Sequence, residues 1–227
     1  MYSLLITNKN YSSWSLRPWV LMRGLGIEFE EVLIPLGERP PGGSIAERSP
    51  SGRVPCLVDR GLTLWDSMAI IEYLAERHAG VWPDDANARA WARCAAAEMH
   101  SSFFALRAQC SMSCGVRVAR HEVSVPLQED LARIDALWRE GLSRHGGPFL
   151  AGSRFTAVDA FFAPVAFRVR SYGLSLSRDA MDYVGRLLAL GPMQDWHAAA
   201  LLERWREAGH EEEVRCQGAV IEDLRAT

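Results

Sequence analysis

Along the first eighty residues the apolar positions change period several times. Residues 2–7 form a short apolar run closed by the turn-prone "TNKN", the pattern of a buried strand. Leu16, Trp19, Val20 and Met22 then recur at helical spacing with Gly24 and Gly26 behind them, which predicts a helix over about 13–25. Pro18 stands early in that helix, where at most one intrahelical bond is lost. "FEEVLIPL" (29–36) reads as a second strand, and "GERPPGGS" as a connection too rich in Gly and Pro for regular structure. "VPCLVD" and "LTLW" meet at Asp59-Arg60-Gly61 as a hairpin. A helix over 67–78 follows, with Ile70, Ile71 and Leu74 as its apolar stripe and Asp66 or Ser67 as its N-cap. The predicted order is β-α-β-loop-β-β-α.

Beyond residue 79 the strand signals stop. "AGVWPDDANARA" is a connector bearing Pro and Asp, and helical patterns follow over about 86–114, 124–145, 156–171, 179–190 and 194–207. The fold class is therefore α/β plus all-α: a first domain over 1–78, a linker over 79–87 and an all-α domain over 88–227. Thr156, three residues before Asp159, predicts a capping box with Phe155 as part of a hydrophobic staple, a structural feature. The acidic "HEEEV" (210–214) reads as a solvated tail segment.

Composition narrows the function classes. The 227 residues are 48% hydrophobic with eight tryptophans, enough for a large core, and the net charge is −3 with no basic stripe, so nucleic acid is not an expected partner. No basic leader or long apolar run appears, and five cysteines without a C-x-x-C pair suit a reducing compartment, so the expectation is a soluble, cytoplasmic protein away from membranes. Cys110 and Cys114 share a helix face in this reading but lack a His or Cys partner nearby, and no metal site is expected.

The chemistry concentrates in "KNYSSWSLRPW" (9–19), where Ser12, Ser13 and Ser15 crowd the first turn after the first strand. A thioredoxin-type oxidoreductase needs thiols at such a turn, and here every candidate is a hydroxyl or an indole, which excludes dithiol redox chemistry. Three motifs together give a resemblance: "SSWS" here, "GRVPCLVDRGLTLWDSMAIIEYLAER" (52–77) and the "F-T-x-x-D" cap at 155–159. With them the chain resembles the soluble glutathione transferases, and its opening looks most like the zeta-type pattern S-S-C-x-x-R, with Trp14 where that pattern has cysteine.

The resemblance implies a thioredoxin-like first domain followed by a helical bundle, a homodimer, and glutathione as cosubstrate. It aligns Ser12 with the thiol-activating serine and leaves Ser13 as its nearest substitute. A glutathione thiol with a pKa of ~8.5–9 is mostly protonated at neutral pH. A hydroxyl at a helix N-terminus lowers that pKa by hydrogen bonding the thiolate, and two units require about 2.7 kcal/mol. Capping alone is the other role open to Ser12 and Ser13. Around the motif Arg53-Val54-Pro55, a cis-proline would leave an edge at Val54 that pairs with a peptide backbone, as in strand addition. Asp66 and Ser67, at the next helix N-terminus, suit the α-amine and α-carboxylate of the γ-glutamyl end. Trp14, His100, Phe103 and Arg107 are the candidates for a second-substrate pocket, Met99 and Phe104 for core packing, and Arg107, Arg168 and Arg170 for binding an acidic substrate. Three functions stay open: thiolate transfer to a small electrophile, a zeta-like isomerisation of maleylacetoacetate-type diacids, and a binding module without catalysis.

Overall fold

The computed structural model describes residues 1–41 and 43–226. Gly42, in the turn-rich connection, and the last residue lie outside the described residues. The first half builds β1 (Tyr2–Ile6), α1 (Ser13–Gly24), β2 (Phe29–Leu33), the single turn α2 (Ile45–Arg48), β3 (Cys56–Asp59), β4 (Leu62–Trp65) and α3 (Ser67–Ala75). Its sheet runs β2-β1-β3-β4. β1 and β2 are parallel, with Tyr2 opposite Phe29 and Ile6 opposite Leu33. β3 runs antiparallel to both of its neighbours. The β-α-β-loop-β-β-α order read from the sequence is present, in the thioredoxin-like arrangement that the resemblance implies, and the Val54–Pro55 bond before β3 is cis.

The second half holds α4 (Ala86–Ser101), α5 (Phe104–Gln109), β5 (Val116–Arg120), α6 (Val125–His145), α7 (Ala157–Tyr172), α8 (Arg178–Leu188), α9 (Gly191–Leu202), α10 (Ala208–Arg215) and β6 (Gly218–Asp223). α7 is the central helix: all but one of its residues are buried, which is why its sequence "AVDAFFAPVAF" is apolar on every side. α1 is enclosed for the same reason. One face packs on the sheet, the other under α7 and α9, and its residues from Leu16 to Met22 are all buried. One apolar core, including Leu4, Leu16, Trp19, Phe161, Phe162 and Trp196, therefore runs through both halves.

Five expectations are corrected here. The helix expected over 86–114 breaks at Ser102 and Phe103, where Ser102 is extended and Phe103 is left-handed at φ 61°. Tertiary partners hold the break: Asp130 accepts from Leu106 N at 2.9 Å, and Arg107 reaches back to the carbonyls of Ser102 and Met99. Period counting along one helix cannot see partners supplied by another. Cys110 and Cys114 consequently share no helix face. Phe104 is 74% exposed, so it is not a core residue, whereas Met99 is fully buried. Strands do recur after residue 79, because β5 and β6 pair antiparallel as a two-stranded ribbon. The "HEEEV" segment belongs to α10 and is no solvated tail: Glu211 accepts from Tyr11 Oη at 2.5 Å and pairs with Arg225.

Candidate functional site

The turn from Asn8 to Ser13 links β1 to α1, and the helical half fixes its shape. The buried carboxylate of Glu203 accepts from Lys9 N at 2.6 Å and Asn10 N at 3.2 Å. Trp196 Nε1 donates to Lys9 O at 2.9 Å, and Cys114 N donates to Asn10 O at 3.2 Å. Lys9 also pairs with Glu31 on β2. Four backbone hydrogen bonds of a buried turn are thus supplied by the other half of the chain.

Ser12 caps α1. Its Oγ accepts from Ser15 N at 3.3 Å and donates to Ser15 Oγ at 2.7 Å. Ser13, the first residue of the helix, has no side-chain hydrogen bond among the described residues. Tyr11, directly before them, donates its hydroxyl to Glu211, and burial foremost, with that carboxylate second, raises its pKa. Its proton is therefore not available for neighbouring chemistry at neutral pH.

Two cavities meet at Trp14. The outer one is a cleft of about 350 Å³ formed by Trp14, Arg53, Val54, Pro55, Ser67 and His100 with their neighbours, inside the range of about 300–1,000 Å³ common for small-ligand sites. Its chemistry is directional. Val54 lies just outside the ladder that begins at Cys56, so its backbone is not used by the sheet. Asp66, at φ 75°, caps α3 through Met68 N at 2.8 Å and turns its other carboxylate oxygen to within 3.4 Å of His100 Nε2. The Ser67 hydroxyl is buried with no partner among the described residues, at the N-terminus of α3 where unpaired N–H groups and the helix dipole favour an anion. His100 has its pKa lowered, by burial first and by Arg17 and Arg107 after it, with Asp66 opposing. Its contact with Asp66 is accordingly that of a neutral ring.

The second, the inner cavity on the far side of Trp14, is a small pocket open to solvent of about 190 Å³, below the range common for small-ligand sites, lined by Tyr11, Ser13, Trp14, Arg107, Arg168 and others. Trp14 forms the wall between the two spaces, with the Arg17 guanidinium 4.1 Å from one of its ring centroids and that of Arg107 at 4.8 Å. Of the residues expected around a second substrate, Trp14 and Arg107 line this inner cavity and His100 the outer cleft. Phe103 is buried at the α4–α5 break and lines neither. Arg168 joins Arg107, but Arg170 does not: it lies near Arg117, over the Phe167 ring.

Sequence reading missed Glu203 and Trp196, and gave Arg17 no role beyond the R of the S-S-C-x-x-R pattern. Nothing local marks the first two, because their partners lie more than 180 residues away. Arg17 did leave a signal. It falls on the stripe Ser13, Leu16, Arg17, Val20, a charged residue on a face that the period assigns to the core.

Residues 11–77 match the family model described as glutathione S-transferase, N-terminal domain, and residues 84–209 that described as glutathione S-transferase, C-terminal domain. Among curated proteins, the chain is 27% identical over 135 residues to a stringent starvation protein A homolog of Pasteurella multocida (strain Pm70), covering 59% of this chain and 60% of that protein. It is 41% identical over 69 residues to glutathione S-transferase T2 of Arabidopsis thaliana, covering 28% of this chain and 12% of that protein. The chain thus spans under two thirds of either relative. Among solved structures, a glutathione transferase homolog from Burkholderia gl BGR1 with bound glutathione superposes with a TM-score of 0.63 at 23% identity, over 88% of this chain and 97% of that one. A diazinon-metabolizing glutathione S-transferase of the silkworm Bombyx mori gives 0.69 at 16% identity, over 94% and 99%. At such identities these two likenesses are of fold.

Proposed function

The chain belongs to the glutathione S-transferase family, and from that premise we propose that it binds glutathione in the outer cleft and transfers its thiolate to a small electrophile. The observation that carries this reading is the buried, unpartnered Ser67 hydroxyl at the α3 N-terminus, twelve residues after Pro55 and in the same cleft. A γ-glutamyl carboxylate supplies the missing acceptor there. Val54 offers its backbone to the cysteinyl residue, Arg53 and Pro55 shape the approach, and Asp66 stands by the α-amine.

Two hydroxyls stand at the α1 N-terminus for the sulfur. Ser12 has its O–H donated to Ser15, so it reaches a thiolate only by breaking that bond, while Ser13 has its hydroxyl uncommitted. The reading therefore gives the stabilising hydrogen bond to Ser13, with the helix dipole, and the shaping of the turn to Ser12. Reaction follows from proximity: the thiolate is held beside the inner cavity, where the electrophile waits.

Calorimetric titration with glutathione, paired with ultraviolet absorbance of the bound thiolate against pH, tests this. Ser67→Ala is expected to weaken glutathione by about 1.5–3 kcal/mol, roughly ten- to hundredfold in Kd. Ser13→Ala is expected to raise the bound thiol pKa by about one to two units. Unchanged affinity in Ser67→Ala moves the carboxylate site elsewhere. A raised thiol pKa in Ser12→Ala but not in Ser13→Ala reverses the assignment of the two serines. Saturable glutathione without any thiolate band favours the second reading, a binding module without catalysis. Isomerisation of a maleylacetoacetate-type diacid remains a third outcome, although Trp14 stands where the zeta-type cysteine would be.

A further inference from the structure

Three guanidinium groups converge behind the α1 N-terminus, and none of them forms an ion pair among the described residues, although Asp66 near Arg17 and Asp130 near Arg107 offset part of the charge at longer range. Among the described residues no carboxylate lies within 4.0 Å of Arg17, Arg107 or Arg168. Arg17 is fully buried, and its Nε, Nη1 and Nη2 all lack hydrogen-bond partners. Arg168 is 4% exposed and donates Nε to Cys110 O at 2.7 Å, but its Nη1, in a residue that lines the inner cavity, has no partner. Arg107 uses its Nε and Nη2 on the carbonyls of Ser102 and Met99.

Buried guanidinium groups normally sit on carboxylates, because the desolvation cost is high and the group keeps its proton. Stacking on Trp14, with Arg17 on Phe161 as well, offsets part of that cost without satisfying any N–H. The charges also disfavour one another: burial first and the neighbouring cation Arg107 second lower the Arg168 pKa to about 10. The one acidic side chain on the cavity wall is Glu213, exposed at the rim. The arginine side of this pocket thus favours an anion, and a planar carboxylate matches the guanidinium fork.

We propose that the inner cavity is the electrophile site and that it selects a small electrophile carrying a carboxylate, received by the Arg168 guanidinium with Arg107 beside it and Arg17 supplying charge from behind Trp14. The proposal rests on the transferase reading for the reaction, but not for the binding. For an aryl chloride acid the step balances simply. The glutathione thiolate forms a C–S bond at the ring carbon that bears chlorine, the C–Cl bond breaks, chloride leaves with the electron pair, the thiol proton has gone to solvent, and the carboxylate is unchanged.

The test uses 4-chloro-3-nitrobenzoate and its methyl ester, which differ in charge at the recognised end. Each is titrated into the protein saturated with S-methylglutathione, which cannot react, with Trp fluorescence as the readout. Saturable binding of the acid at least tenfold tighter than of the ester is expected. Arg168→Met should lose that preference and Arg168→Lys keep part of it, with S-methylglutathione binding and the thermal midpoint reporting that each variant is folded. If Arg168→Met does not fold, the acid-over-ester ratio and its decline with salt in the wild type decide the matter, because an ion pair weakens with ionic strength. Equal binding of acid and ester, or an acid preference that survives in folded Arg168→Met, overturns the proposal. Turnover with glutathione is then measured separately: acid binding without conjugation sinks the transferase reading and leaves the anion site standing, while conjugation of ester and acid at equal rates does the reverse.

Discussion

Glu203 carries more of the site than its position in "LLERWREAGHEEE" suggests. Its buried carboxylate is the acceptor for two N–H groups of the turn that presents Ser12 and Ser13. Removing it leaves Lys9 N and Asn10 N as buried donors without partners, at about 1–3 kcal/mol each. Glu203→Ala is expected to lower unfolding stability by about 2–5 kcal/mol in a urea titration, and Glu203→Gln by less, since one acceptor oxygen remains. A Glu203→Ala variant within about 0.5 kcal/mol of wild type rules out this anchoring role. At the scale of single residues, legibility followed distance along the chain. Ser67, Val54 and Pro55 sit in one continuous stretch whose turn, edge and cap each leave a local mark. Glu203 and Trp196 act across the fold, and a side chain so used looks in sequence like any charged surface residue or any core aromatic.

The start of α7 shows an element whose making was readable in advance. Thr156 and Asp159 form the expected capping box: Asp159 accepts from Thr156 N at 2.9 Å and Thr156 Oγ1 at 3.3 Å. The carboxylate also takes Leu150 N at 3.0 Å and Tyr183 Oη at 2.8 Å, tying the preceding loop and α8 to the same cap. Thr156→Ala is expected to cost about 1 kcal/mol, as for an ordinary cap. Asp159→Ala, which strands two buried backbone donors and a tyrosine hydroxyl, should cost about 3–5 kcal/mol. Thermal denaturation measures both, and equal losses in the two variants would mean that Asp159 does no more than cap. Capping is local, so four residues reveal it. The α4–α5 break is non-local, and the apolar period runs through it without interruption. The β5–β6 ribbon is a mixed case, since Val116 and Val118 alternate with Arg117 and Ala119 as a half-buried strand should, but over only five residues.

Across the whole molecule, burial sets titrations that oppose one another. His197 donates Nε2–H to Cys114 O at 3.2 Å, and its pKa falls to about 4, through burial first and the charge of Arg170 second. The unfolded chain, with an ordinary histidine near 6.5, binds more protons in that interval, so folding stability is lost as pH falls from about 6.5 to about 4. Asp159 acts in the other direction. Burial raises its pKa to about 6, the folded state holds the extra proton, and its contribution is lost as pH rises from about 4 to about 6. Comparing wild type with His197→Gln cancels the Asp159 effect. The stability difference, wild type minus variant, should fall steadily from pH 7 to pH 4, and a difference independent of pH would refute the histidine's part. The two-half architecture itself was readable, because strand periods recur before residue 79 and helix periods take over after it, the short β5–β6 ribbon apart. What no period could convey is that the halves share one core and one turn. That turn, bonded to Cys114, Trp196 and Glu203, makes the first half a poor unit of exchange. A graft of residues 1–78 from a relative would arrive with its serines but without the Trp196 and Glu203 side chains that hold them, so a working recombinant has to inherit positions 196 and 203 from the same parent as its opening strand.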